Sequence, residues 1–420
     1  MTKKIKVLTL SDHPLSPSGV GTQTRYVIEA LLKTGKFEVL SLGGAIKHHD
    51  YSVNHVEPWG SDWRIIPVDG YGTTEMIRSI LRNEKPDILW MMTDPRFYEW
   101  LWSIENEIRP LCPIVYYHVW DNFPAPHFNA KFYNSNDMIV SISKLTHEIV
   151  KEVSPNVDSK YIPHAVREDV FVMKSLEERR QLKEKMLGDD KDKFVVFWNN
   201  RNARRKQSGT LIFWWKEWLD KRDLHKKAQL IMHTEPKDPH GQDLMAIVNQ
   251  LNLNTDRQVL FSTTKVPLEQ MGGFYSIADV TVNISDAEGF GLATLESLSC
   301  GTPIIANMTG GLQEQVIGPE GENGIALFPS SKSIIGSQQV PYIYEDRISK
   351  ESFLSALDKM YLIDESARRS LGEQGNRHVR KNYSFDSFEK NWIETMLNVH
   401  EKHGSWPTKN YSSIVFKEVA

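Results

Sequence analysis

The chain has 420 residues, 40% hydrophobic and 25% charged, with a formal net charge of -4. That length exceeds one average domain and points to two of roughly 200 residues each, with a composition ordinary for a soluble globular protein. The mild acidity argues against a nucleic-acid binder, which carries a strong basic excess, yet leaves room for a local basic patch that touches a membrane. Two cysteines, Cys112 and Cys300, exclude a disulfide framework and leave a zinc site short of its usual ligands. No run approaches the roughly 18 apolar residues that span a bilayer. Met1 to Lys4 lead directly into a short apolar strand with no signal-like segment, so a cytoplasmic location is expected.

In chain order, Ile5 to Leu10 reads as a buried strand, and Ser11 to Gly21 as a polar loop containing proline and glycine. Thr22 to Thr34 reads as a helix with Tyr26, Val27, Ala30 and Leu31 on one face, stopping at Gly35. The loop holds Ser18-Gly19-Val20-Gly21-Thr22. A dinucleotide fingerprint would want a third glycine where Thr24 stands, and an acid closing the second strand, which ends Leu42-Gly43-Gly44. A dehydrogenase is excluded on both counts. Further strands fit Phe37 to Leu42, Ile65 to Val68, Asp87 to Met92, Ile114 to Tyr117, Met138 to Ser141 and Tyr161 to Pro163. Helical patterns fill much of the space between them, which is the βαβ rhythm of a doubly wound parallel sheet.

Ligands of such sheets bind beyond the carboxyl ends of the strands. His118 and Asp121 follow the strand ending at Tyr117, so they fall at that edge; an isolated histidine there is ordinarily a structural one. His164 and His233 also follow strands, the second divided evenly between a structural and a site role.

Lys174 to Lys193 is charge-rich and reads as an exposed helix and turn joining two domains. Its Asp190-Lys191-Asp192 is formally a metal-type D-x-D, but it lies in that solvated turn and not after an apolar strand. Phe194 to Trp198 restarts the strand rhythm, followed by Gln229 to Met232, Val259 to Phe261, Val280 to Ile284 and Pro303 to Ala306. Trp214, Trp215 and Trp218 sit at helical spacing and read as core or domain contacts. After Trp198 comes Asn199-Asn200-Arg201-Asn202-Ala203-Arg204-Arg205-Lys206, a cation-rich strand end suited to a diphosphate.

The most informative segment is Ser285-Asp286-Ala287-Glu288-Gly289-Phe290-Gly291-Leu292-Ala293-Thr294-Leu295-Glu296, which reads as a glycine-rich turn opening a helix. The glycines let a ligand approach the backbone, and the helix start favours an anion. Glu288 and Glu296 cannot bind phosphate; they accept hydroxyls. A ligand with phosphate and polyol parts, such as a nucleotide-sugar, has both chemistries. Gly301-Thr302-Pro303-Ile304-Ile305-Ala306 and Gly310-Gly311-Leu312-Gln313-Glu314 follow.

This string resembles the E-x7-E signature of the retaining family-4 glycosyltransferases, which have the GT-B fold. The resemblance covers Arg201 to about Gly324 well and the first half only at scattered points. It implies two doubly wound, Rossmann-like α/β domains with a cleft between them: an acceptor-side domain at 1–172, with a helix at about 395–420 packing back on it, and a donor-binding domain at 173–394. It further implies a sugar moved from a nucleotide-diphosphate-sugar to an acceptor hydroxyl with retention and without a metal. Neither a cofactor nor a nucleic-acid partner enters, and peripheral membrane contact is compatible.

In that resemblance Gly19, Val20 and Gly21 approach the donor diphosphate and His118 stands beside the donor sugar. Arg201 and Lys206 carry the family's arginine–lysine spacing, although Asn200 replaces the commoner glycine. Glu288 meets the sugar and Glu296 the ribose. Gly289 and Phe290 belong to the same donor turn, and Gly291, Leu292 and Ala293 offer backbone N–H groups to the phosphates. Asp121 approaches the acceptor. A sugar phosphorylase, a nucleotide-sugar epimerase or a non-catalytic nucleotide-binding protein would use the same features.

Overall fold

Short apolar runs buried on both faces alternate with helices that cover them, and that alternation builds two parallel sheets. The computed structural model describes residues 3–408. The first sheet holds β1 (Ile5–Asp12), β2 (Phe37–Gly44), β3 (Asn54–Val56), β4 (Gly60–Pro67), β5 (Ile88–Thr93), β6 (Ile114–His118), β7 (Met138–Ser141) and β8 (Ser159–Tyr161). Their spatial order is β3-β4-β2-β1-β5-β6-β7-β8, and only the β3–β4 pair is antiparallel. The helix Gly19–Lys33 begins three residues before the Thr22 expected from sequence. Ser18 caps it, its hydroxyl accepting the Gly21 N–H at 2.9 Å. Gly19, Val20 and Gly21 therefore form a helical first turn, not a loop. A Cβ on Gly21 would stand 2.6 Å from both the His13 carbonyl and the Ser16 hydroxyl, so only glycine fits.

The second sheet holds β9 (Phe194–Asn199), β10 (Ala228–His233), β11 (Val259–Ser262), β12 (Val280–Asn283) and β13 (Ile304–Asn307). After the two-residue strands β14 (Ile317–Gly318) and β15 (Gly321–Glu322) it adds β16 (Gly324–Leu327), giving the order β11-β10-β9-β12-β13-β16. A separate antiparallel hairpin follows, β17 (Ser331–Ile335) with β18 (Ile343–Arg347). Trp198, Trp215 and Trp218 are fully buried in the core beneath this sheet, and Trp214 packs against it partly buried.

The chain divides into one unit of residues 1–164, 337–341 and 386–420 and another of 165–336 and 342–385. The second unit thus starts at Ala165 and not at 173. Phe171 packs edge-on against Tyr275 at 6.0 Å and its carbonyl accepts the Ser299 hydroxyl at 2.8 Å, which ties the segment forward. At the other end, the helix Phe385–His403 joins the first unit from residue 386, not from 395, because fully buried Trp392 packs against Trp90 and Tyr117 at 5.8 and 4.8 Å. The segment 409–420, expected to continue a helix, lies outside the described residues.

The charged stretch forms the helix Leu176–Leu187, opened by a capping box between Ser175 and Glu178. It buries none of its own residues, as expected, but it does not join the units. Arg179 donates to the carbonyls of Ser276 and Ala278 at 2.8 and 2.9 Å, and Lys183 pairs with Asp279 at 2.9 Å, all inside the second unit. Asp190 serves structure there, pairing with Lys193 at 2.9 Å. Among the described residues no helix is long and apolar enough to cross a membrane.

Candidate donor site

The second unit gathers its chemistry where β9 and β12 end. After β9 the chain makes a single 3-10 turn, Arg204–Lys206, and Gln207 then adopts a left-handed φ of 56° before the helix Ser208–Arg222. This sharp reversal aims Lys206 inward, where it is buried and forms a short ion pair with Glu288. Arg205 stands on the same carboxylate's other side, 4.0 Å from its Oε1, and donates to the Ala287 carbonyl at 3.0 Å. Burial pushes the Glu288 carboxyl up, but the two cations outweigh it and hold it below the usual range.

Glu288 belongs to a turn with no room for larger side chains. Its carbonyl accepts the Gly311 N–H at 3.0 Å, and a Cβ on Gly311 would meet the Gly289 carbonyl and Phe290 Cα at 2.6 Å. Gly291 holds a left-handed φ of 89° as the cap of the helix Leu292–Ser299, with no side chain capping that end. The Glu288 stem lies 3.5 Å from where a Cβ on Gly291 would be. The ion pair therefore stands at a helix N-terminus, whose first N–H groups, at half-buried Leu292 and Ala293, favour an anion.

Half-buried Glu296 lies one turn along the same helix. Tyr275 donates to its Oε2 at 2.5 Å, and the Asn199 amide donates to Tyr275 at 2.8 Å. Burial pushes the Glu296 carboxyl up to about 7. Asp286, accepting from Gln207, is raised by burial to about 6.

Two cations of the sequence run stand elsewhere. Arg201 is 62% exposed and grips Asp238 with two bonds of 2.6 and 3.1 Å. Arg204 is taken by Glu345, a buried carboxylate on β18 that also accepts from Arg347 at 2.8 Å. The hairpin is tied to the donor turn, since the Asp346 N–H donates to the Asp286 carbonyl at 2.8 Å.

In the first unit, Asp12 at the end of β1 accepts from Ser18 at 2.7 Å and from Tyr71 at 2.9 Å, which fixes the approach to exposed Gly19 and half-buried Val20. His118 is fully buried, with its two ring nitrogens against the Tyr116 and Tyr133 hydroxyls at 3.1 and 2.6 Å. Burial pushes it down to about 3, so it is neutral, and neither nitrogen is open to a ligand here. His164 is held likewise by Tyr117 at 2.7 Å, and His233 by Ser262 at 2.9 Å. Asp121 is half-buried beside Arg96, whose pKa it helps to raise after Asp94.

Sequence reasoning missed Tyr275, Gln207 and Glu345, and named Asn199 only as part of the run after Trp198, with no role of its own. Only Asn199 carried a signal, as the last residue of a strand.

Residues 178–353 match the family model described as glycosyl transferases group 1. The chain is 32% identical over 129 residues to the D-inositol 3-phosphate glycosyltransferase of Corynebacterium jeikeium, 31% of this chain and 26% of that protein. It is 22% identical over 237 residues to the N-acetyl-alpha-D-glucosaminyl L-malate synthase of Bacillus anthracis, 54% of this chain and 55% of that one. These matches thus span from about a quarter to about half of the relatives' lengths. Among solved structures, the sucrose-phosphate synthase of Thermosynechococcus elongatus is similar with a TM-score of 0.74 at 18% identity, over 95% of this chain and all (100%) of that one. Anabaena HepE, solved with UDP and glucose, is similar with a TM-score of 0.67 at 14% identity, over 94% and 100% of the two chains.

Proposed function

This chain has the GT-B fold and its residues 178–353 belong to the group 1 glycosyl transferases, and from that premise we propose that it moves a sugar from a nucleotide-diphosphate-sugar to an acceptor hydroxyl. The observation that carries this reading is the buried Lys206–Glu288 pair set against the uncapped start of the helix Leu292–Ser299, with Glu296 further along that helix. Lys206 and the first-turn N–H groups would take the charge that develops on the leaving diphosphate. Glu288 would accept from the transferred sugar and Glu296 from the ribose, each carboxylate being an acceptor for two hydroxyls. HepE, solved with UDP and glucose, supports a donor of that class.

We further propose that transfer proceeds with retention and without a metal, in the cytoplasm. The acceptor oxygen bonds to the anomeric carbon on the face that the diphosphate leaves, and the acceptor proton passes to a departing phosphate oxygen. Positioning and charge stabilisation then supply the catalysis.

The test is release of nucleoside diphosphate from UDP-, GDP- and ADP-sugars in the presence of polyol and glycan acceptors. Lys206→Ala is expected to lower turnover by about 10² to 10³, the loss of one preorganised donor. Removing one member of a buried pair also destabilises, by about 3–5 kcal/mol. The fold of the variant is therefore checked by chemical denaturation. A folded Lys206→Ala protein with unchanged turnover contradicts the assignment.

A further inference from the structure

Glu345 and Asp346 are neighbours on β18, and both are buried, at 1% and 3% exposure. A carboxylate enters an interior only with partners, and a buried ion pair often stabilises no better than apolar residues of the same volume. The hairpin β17–β18 has little apolar packing of its own, since Ser331, Lys332 and Ile334 on β17 are exposed. A lone two-stranded hairpin is marginal in water, so this one is placed by what it holds.

Glu345 holds the turn after β9. Its Oε1 accepts from Arg204, two residues before Lys206 in the same 3-10 turn. Asp346 holds the turn after β12. Its N–H donates at 2.8 Å to the carbonyl of Asp286, two residues before Glu288. The Asp346 carbonyl accepts the Asn307 amide at 2.6 Å, and that amide also donates to the Ser285 carbonyl at 2.9 Å. The Thr309 hydroxyl donates to the Asp346 carboxylate at 2.8 Å, so β18 is fastened at the end of β13 as well. Consecutive residues of one strand thus grip the two turns whose side chains meet as the Lys206–Glu288 pair.

We propose that β18 is a brace for the donor site and that Glu345 is a positioning residue, acting through Arg204 on the turn that carries Lys206. The inference rests on the nucleotide-sugar reading above. With both turns tied to one strand, the Lys206 ammonium and the start of the helix Leu292–Ser299 keep a fixed separation. Misplacing such a group by about 1 Å costs a factor of about 10² in rate. Arg347 takes the other oxygen of Glu345 at 2.8 Å from within the hairpin, so it belongs to the brace and not to the link with the Lys206 turn.

The test is steady-state release of nucleoside diphosphate by the full chain, with whichever of the UDP-, GDP- and ADP-sugars the parent turns over. Glu345→Gln is expected to lower kcat by about 10- to 100-fold while KM for the donor stays within about threefold. Arg204→Gln should lose a similar factor, and the double variant no more than the worse single one, because both changes cut one link. Arg347→Gln, which leaves that link intact, should keep kcat within about twofold. Thermal midpoints establish that each variant is folded. If Glu345→Gln does not fold, Arg204→Gln, altered at a side chain 60% exposed, is compared with Arg347→Gln in its place. The inference is overturned if Glu345→Gln keeps the parent's kcat, if the two single losses multiply in the double variant, or if Arg347→Gln loses as much as Arg204→Gln. If the parent releases nucleoside diphosphate from none of the three donors, the nucleotide-sugar reading itself falls and this inference with it.

Discussion

At the scale of single residues, the proposed donor site is a set of carboxylates whose ionisation is set by burial and by neighbouring charges. Glu288 is held ionised by Lys206 and Arg205, whereas Glu296 is raised from an ordinary 4.5 to about 7 by burial. A carboxyl raised in this way binds its proton more tightly when folded. It therefore favours the folded state below pH 4.5, and that contribution is lost as the pH climbs through about 7. Thermal midpoints should decline over this window, and Glu296→Gln, neutral throughout, should flatten that part of the profile. Identical profiles in both proteins would contradict the burial argument.

Both glutamates stood out as carboxylates in the turn and helix, and Lys206 as one cation of a run after a strand, while the roles expected of them came from the family resemblance. The company they keep was not legible. Tyr275 and Glu345 are distant in sequence from the residues they hold, and no local pattern marks a tyrosine or glutamate as a hydrogen-bond partner for a site. His118 shows the opposite difficulty: its position after β6 was readable, but its enclosure by Tyr116 and Tyr133 depends on packing.

At the scale of elements, the uncapped start of the helix Leu292–Ser299 depends on Gly291. Its φ of 89° is strained for any side chain, and a Cβ there would lie 2.4 Å from Leu312 Cδ2. Gly291→Ala is predicted to cost about 1–3 kcal/mol of stability, a strain of the usual size for such a backbone, and to weaken nucleotide binding more than sugar contacts. Denaturant unfolding and calorimetry check the two effects; a neutral Gly291→Ala would show that the turn can relax. The strand–turn–helix itself was readable because glycine, carboxylate and apolar residues alternate in an order that physics ties to one conformation. The hairpin Ser331 to Arg347 was not. Its residues lack a clean alternation, and its purpose, bringing Glu345 and Asp346 to the donor turn, appears only in three dimensions.

At the scale of the whole molecule, the βαβ rhythm gave two parallel sheets from buried strand runs, and the core followed. The unit boundaries were less legible because they depend on which side a connecting segment packs. Phe171 goes forward to Tyr275, and Trp392 returns to Trp90 and Tyr117. Trp392→Ala is accordingly predicted to destabilise the first unit by about 3–5 kcal/mol, as for other buried aromatic truncations. Denaturation monitored by hydrogen exchange of β5 and β6 would reveal it, and unaltered protection there would place the helix Phe385–His403 outside that unit's core.

The proposed site holds a nucleoside-diphosphate sugar without a metal. Its most direct test is a thermal-shift panel of UDP, GDP, ADP and their sugar conjugates, with and without EDTA. At a hundred times the dissociation constant, binding stabilises by about 2.7 kcal/mol. A clear rise in melting temperature with one nucleotide family, unchanged by EDTA, is expected. A shift abolished by EDTA would contradict metal independence, and no shift with any nucleotide would contradict the donor site itself.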